Sequence, residues 1–447
     1  VRRLALALLC LLGGCTWSNS LYQARRLAGE AERAEREGRP FDAEGAWGQA
    51  TVKAESAFVR RPDGRAGAEA LWVQGRAAAR RRDCLTAINA FDASRVLLPD
   101  APWNEALLME LGRCREQVGD ARAIEQYAAL LTSTDSARRR EATLRAGHLA
   151  VQAGRWAEAL TLLAGADTAS ARVDRAVALA ALDRTDEALT EVEPLLVRAD
   201  SGVAWAPLVQ LLAEQDSEDA ERFLNRLMTQ PTASDGRRAV WLLAGIQGAI
   251  GHDPAVAERR FEALVRLPPS PAVGEGRLLI AEHRVAQAAS IDGLRSALEA
   301  LGSLAEGGGL AAIRIGDLRR LGGRMVREHD SLTAGKDAGD LMLFALAEEA
   351  RDSLEAPVLA GSLLQRLERE WPASPYLPKS LMVRMALAPD SAETLRARLR
   401  QFSSSPYLGY TRGERDPRFV VLEDSLASFV TARARRHAAS TVPVVNE

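Results

Sequence analysis

The chain carries five histidines and four cysteines, the side chains best suited to metal, redox or nucleophilic chemistry, and their spacing limits what they can do. His148, His252, His283, His329 and His437 stand singly. No two share one helical face at neighbouring turns and there is no His-Glu-x-x-His, so no zinc hydrolase site is expected. The glycines at 307–309 are not followed by Lys and a hydroxyl residue. Gly335-Lys336-Asp337 lacks the upstream glycine and following hydroxyl of a phosphate loop. Gly-x-Ser-x-Gly is absent, which removes the nucleophile elbow. Carboxylates cluster at Glu348-Glu349 and at Asp216, Glu218 and Asp219, but on amphipathic stretches these read as solvent-face residues. Acid–base work would need burial to shift their pKa values. The runs Arg80-Arg81-Arg82 and Arg138-Arg139-Arg140 fall beside predicted turns and read as solvated corners. The sequence therefore predicts no catalytic residue, no metal ligand, no cofactor and no enzyme.

The cysteines divide by position. Arg2-Arg3 followed by the apolar run Leu4–Leu12 has the shape of a secretory signal, too short to span a bilayer. Leu12-Gly13-Gly14-Cys15 then resembles a bacterial lipobox. That resemblance implies a signal over 1–14, acylation of Cys15 and a short tether over 15–20. Several acyl chains matter, because one alone holds a membrane only reversibly. Thr16, where many lipoproteins retained in the inner membrane carry Asp, implies the outer membrane facing the periplasm. Only Cys84 and Cys114 then remain in the mature fold. Export permits a disulfide between them, while two buried thiols at packed helix positions are the favoured alternative.

The segments that must position these residues are helical throughout. Ala, Leu, Arg and Glu dominate, strand-type alternation is missing, and Gly or Pro interrupts every 12 to 20 residues. Between Ala68 and Pro99, Leu71, Gly75 and Ala78 lie on one face of a first helix. Arg82-Asp83 makes a turn, and Ala87, Phe91 and Ser94 lie on one face of a second. This spacing resembles the tetratricopeptide repeat (TPR), a helix–turn–helix unit of about 34 residues with small side chains where its helices cross. The template extends to Gly38, Ala43, Trp47 and Ala50; to Trp103, Gly112, Gly119, Ala123 and Tyr127; and to Gly147, Gly154, Trp156 and Ala159. Ala176 with Ala188, Ala220 with Leu224, and Trp241, Gly245, Ala257, Phe261 and Pro269 continue it. The signature fades over 273–321 and returns at Ala360, Leu364, Leu367 and Pro372. Ser374-Pro375-Tyr376-Leu377 recurs as Ser405-Pro406-Tyr407-Leu408, a step similar to the inter-repeat link of envelope repeat lipoproteins.

The resemblance implies an all-α solenoid of antiparallel helix pairs in a right-handed superhelix, with roughly nine to eleven hairpins. The expected divisions are an N-terminal array over 21–306, a hinge at Gly307–Gly309, a C-terminal array over 310–432 and a disordered tail over 433–447. Trp47, Trp72, Trp103, Trp156 and Trp241 are expected in packing positions. A formal charge of −2 offers no field for nucleic acid. The implied function is a membrane-anchored scaffold or adaptor of the cell envelope that binds other envelope proteins or peptides without a small-molecule cofactor. The rival readings are a periplasmic ligand- or polysaccharide-binding lipoprotein and an enzyme with its site in 273–330. A stripe of exposed tryptophans would favour the first rival, and a pocket of buried, pKa-shifted carboxylates the second.

Overall fold

A computed structural model describes residues 20–198, 203–215, 217–305, 309–332 and 339–440, and every regular element among them is helical. The signal and lipobox expectations, including Cys15, fall outside these residues, as do Gly307 and Gly308. The chain divides into two compact units, Val1–Leu211 and Leu212–Glu447, with the division inside a helix and away from 307–309.

The first unit contains α1 (20–36), α2 (Pro40–Arg60), α3 (Gly64–Arg80), α4 (Cys84–Leu97) and α5 (Asn104–Gln117). It continues with α6 (Ala123–Ala128), α7 (Ser136–Gln152), α8 (Trp156–Leu163), α9 (Ala169–Ala181) and α10 (Thr185–Arg198), and α11 (Ala206–Gln215) spans the division. Consecutive helices from α2 to α10 pack on one another, and α3 also meets α5 and α7 meets α9. That is antiparallel pairing of consecutive helices with contacts between adjacent hairpins, the energetic pattern of a repeat stack.

One turn recurs within the pairs. Gly38, Arg82, Gly119, Gly154 and Asp183 all sit in the left-handed region, with φ between 57° and 71°. The next amide in each case donates back to a carbonyl five residues earlier: Arg39 to Ala34, Asp83 to Ala78, Asp120 to Arg115, Arg155 to Ala150 and Arg184 to Leu179. This is the Schellman closure, which satisfies the last carbonyls of the first helix while reversing the chain. Glycine adopts that conformation freely. Arg82 and Asp183 carry the steric cost of a Cβ. Three helices open on hydroxyl or carboxylate caps: Asp83 accepts from the Thr86 amide, Asp135 from Ala137 and Arg138, and Thr168 from Ala171.

The crossings explain the glycines. A Cβ built on Gly75 would strike the Phe91 ring, one on Gly112 would lie 2.7 Å from the Tyr127 ring, and one on Gly147 would strike Leu163. Each glycine on a first helix thus receives a large side chain from the second. The apolar residues form successive small cores that each join three helices. One joins α1, α2 and α3 around Trp47, the next α3, α4 and α5 around Phe91, and another α5, α6 and α7 around Tyr127. Each of these three rings is at most 1% exposed, and burying such a side chain contributes about 1.5–3 kcal/mol.

The second unit holds α12 (Ser217–Met228), α13 (Asp235–Ala249), α14 (Pro254–Leu264), α15 (Pro271–Ala286), α16 (Ile291–Ala300) and α17 (Gly309–Leu332). After these come α18 (Gly339–Asp352), α19 (Pro357–Glu370), α20 (Leu377–Leu387), α21 (Ala392–Leu399), α22 (Pro406–Thr411) and α23 (Pro417–Ser440). Here Arg260 lies over Gly245 and donates to its carbonyl at 2.6 Å, so a guanidinium takes the place that a ring takes over Gly75 and Gly112. Ser374 and Ser405 act alike: each hydroxyl accepts from the amide of the tyrosine two residues on, at 3.2 and 3.3 Å, and both tyrosines are buried. The repeated Ser-Pro-Tyr step is therefore a repeated local structure.

Two expectations need correction. Residues 433–440 are the end of α23 and not part of a disordered tail, because Arg433 is buried and paired with Glu328 and Glu349. Glu348 and Glu349 are not solvent-face residues either. Glu349 also takes Arg324 at 3.1 Å with only 13% of its side chain exposed, and burial holds the Glu348 carboxyl above its ordinary value. α23 packs on α18, and this return contact gives those carboxylates their buried setting.

Candidate functional site

The first helices of the first unit carry a continuous run of polar side chains linking one hairpin to the next. Arg80 on α3 reaches Glu35 on α1 at 3.6 Å and Glu110 on α5 at 3.3 Å. Glu110 also takes Arg113 at 3.1 Å, and Arg113 grips Glu141 on α7 at 2.7 Å. Arg145 on α7 binds Glu141 at 3.0 Å and reaches back to Glu116 on α5 at 2.9 Å. His148 on α7 then meets Asp174 on α9 at 3.1 Å. On the other side of Arg80, Arg76 pairs with Glu32 and lies 5.4 and 5.1 Å from the ring centres of Trp47 and Trp72.

The helical period produces this ladder. Arg76 and Arg80 stand one turn apart, Glu110 and Arg113 likewise, and Glu141, Arg145 and His148 succeed one another on α7. The helices that bear them are neighbours through α3–α5 and α7–α9 packing. Charge alternates along the run: Arg80, Arg113 and Arg145 each sit between two carboxylates. Burial pushes the Glu141 carboxyl up, but Arg113 and Arg145 outweigh it and the net shift is downward. The His148 imidazolium is favoured by its hydrogen bond to Asp174, against the opposing effect of burial, and its pKa is raised. Most of these side chains are one- to two-fifths exposed. Each such pair contributes little to stability, about 1 kcal/mol or less. Their chemical potential is recognition: guanidinium forks and carboxylates in fixed alternation can take the charges and amides of an incoming chain.

The remaining predicted positions resolve as follows. The structure brings Cys84 at the start of α4 and Cys114 on α5 together, both buried, with Sγ atoms 2.7 Å apart. Burial, followed by the Cys84 contact, pushes the Cys114 thiol up. Trp47, Trp72 and Trp241 are buried in the core, while Trp103 and Trp156 are half-buried. Arg80–Arg82 and Arg139–Arg140 are exposed, as a solvated corner implies; Arg80 nonetheless joins the ladder, and the half-buried Arg138 binds Glu105 at 2.6 Å. His329 lies against Arg366, with its pKa lowered by burial. Among the described residues no group of three or more His, Cys, Asp or Glu side chains could hold a metal, and no helix is long and apolar enough to cross a membrane.

A groove of about 860 Å³ that includes part of 273–330 is lined by Glu282, His283, Arg314 and Glu355, among others. Burial raises the Glu282 carboxyl, which is still 45% exposed and faces Arg314 at 3.9 Å.

The ladder was missed by a search for motifs. Its signal was present as charged residues at the same phase of successive first helices, legible once the hairpins were aligned. No family model matches this chain, and no curated protein is similar to it.

Proposed function

We propose that this chain is a lipid-tethered scaffold of the bacterial cell envelope that binds other envelope proteins or peptides through a TPR-type superhelix and performs no catalysis. The observation that carries the reading is the ladder. Four first helices in succession after α1 present one polar face, and the apolar side chains are spent on holding hairpins together. In a repeat stack of this kind the first-helix face is the one left for a partner. A tether at Cys15 would hold that face close to the membrane, at the outer membrane facing the periplasm.

The polysaccharide-binding reading required tryptophans along an exposed face, and the described tryptophans named for it are buried or half-buried. The enzymatic reading has one observation in its favour, the raised Glu282 in its groove. A carboxylate nearly half in water and facing a guanidinium is the chemistry of a solvated groove, so we propose no reaction there.

The anchoring half of the proposal is tested by expressing the full chain with its signal in a host with two membranes. Wild type should float with the outer membrane and Cys15→Ala should become soluble. If both forms are soluble, the tether is lost from the account.

A further inference from the structure

We infer that Cys84 and Cys114 form a redox pair that closes to a disulfide as the chain folds in the presence of a disulfide oxidant, stapling the second hairpin to the third. From the sequence, two buried thiols are the favoured reading and a bridge the alternative. The structure places the two sulfurs side by side: Cys84 Sγ lies 2.7 Å from Cys114 Sγ, with no atom between them. Both residues are at most 5% exposed. A disulfide of ~2.05 Å would require each sulfur to move by only ~0.3 Å.

The environment is shared and apolar. The two cysteines belong to one cluster with Trp72, Ala78, Phe91, Leu107 and Leu111, and the Gln117 side-chain carbonyl accepts from Cys84 at 3.3 Å. Reduced, the pair places two weakly hydrogen-bonding thiols in a core. Oxidised, it leaves no donor to satisfy. Cys84 is the first residue of α4, directly after the exposed turn at Arg81–Asp83, so local opening of that turn is the shortest route for a reagent.

The step balances with an oxidant of the disulfide class, such as oxidised glutathione or an oxidase's active-site disulfide. One cysteine thiolate attacks the oxidant and forms a mixed disulfide, expelling a thiolate. The second thiolate displaces the remaining half. Two protein thiols are oxidised, one oxidant disulfide is reduced to two thiols, and the protons pass to those leaving groups. Because both sulfurs are buried in the folded chain and burial pushes the Cys114 thiol up, closure belongs to folding, and the closed pair resists later exchange.

The consequence rests on the binding-face reading. Arg80 and Glu110, the rung joining α3 to α5, stand four residues from Cys84 and Cys114 respectively, so the staple fixes the same junction that the ladder crosses.

The test uses the full chain, unfolded, reduced and then refolded with oxidised glutathione, followed by alkylation in denaturant and peptide mass mapping. We expect a linked Cys84–Cys114 peptide, loss of both labels at these positions, and a lower Tm on adding reductant. The Cys84→Ser/Cys114→Ser double variant should melt at one temperature with or without reductant. Full labelling of both cysteines after refolding overturns the inference, as does a Tm unmoved by reductant in the wild type. Chain expressed with its signal in an exporting host and alkylated at lysis, without prior fractionation, supplies a separate readout. If the pair closes in the refolding arm but is reduced there, the pairing stands and the envelope reading fails.

Discussion

At the scale of single residues, the structure turns two isolated side chains into pairs. His148 reads in the sequence as one more scattered histidine, yet it faces Asp174, with Gln152, Glu116 and Arg145 also close to its ring. Its pKa is raised in the folded state, so the pairing stabilises most below the ordinary histidine value and is lost as pH rises through the raised one. His148→Gln should therefore lower Tm at pH 5.5 and leave it nearly unchanged at pH 8.5. The half-exposed ring limits the difference to less than about 1 kcal/mol. An equal loss at both pH values would show that the ring acts by packing alone. The cysteine pair makes a larger claim. Closing a loop of roughly 30 residues contributes about 3–4 kcal/mol in the chain-entropy account, so reduction should shift Tm by several degrees. The two partnerships differ in legibility. With only two cysteines beyond Cys15, the sequence names the thiol pair and leaves open whether the two meet. The partner of His148 lies about one repeat away, and without the hairpin register nothing marks which of many carboxylates it will be.

At the scale of elements, the hairpins were legible because their constraints are local. Gly75, Gly112 and Gly147 stand out among large residues since the crossing tolerates no Cβ, and the structure places Phe91, Tyr127 and Leu163 over them. Gly75→Ala should destabilise by about 1–3 kcal/mol, the usual cost of overpacking, measured by urea unfolding. If stability is unchanged, the close crossing is not a constraint. The turns yield a prediction of opposite sign. Arg82 holds φ at 62° where three other hairpins use glycine, so Arg82→Gly should stabilise by about 1 kcal/mol. A fall in stability would mean that the Arg82 side chain contributes contacts outweighing its backbone strain. Where the pattern ceased to be local, the sequence reading failed. The expected end of order at 433 missed Arg433, whose carboxylates lie 84 and 105 residues earlier in the chain. An Arg in a polar C-terminal stretch carries no sign of such distant partners.

At the scale of the whole molecule, the all-helical class and the pairing of helices follow from composition and period. The ladder required the register of successive first helices, which only the packed hairpins supply. Its pairs are individually weak for stability, which makes them suited to exchange partners with a bound chain. The most direct test separates this role from a structural one by reversing a rung. Arg113→Glu/Glu141→Arg keeps an ion pair between α5 and α7 but inverts the pattern shown to a partner. Glu187→Ala, exposed on a second helix, serves as the control. Crosslinking in the envelope followed by mass spectrometry should give one set of envelope proteins for the wild type and the control. The reversed rung, with unchanged circular dichroism and Tm, should lose that set. Retention of the same partners at the same yield by a folded reversed rung would contradict the assignment of this face as the binding surface.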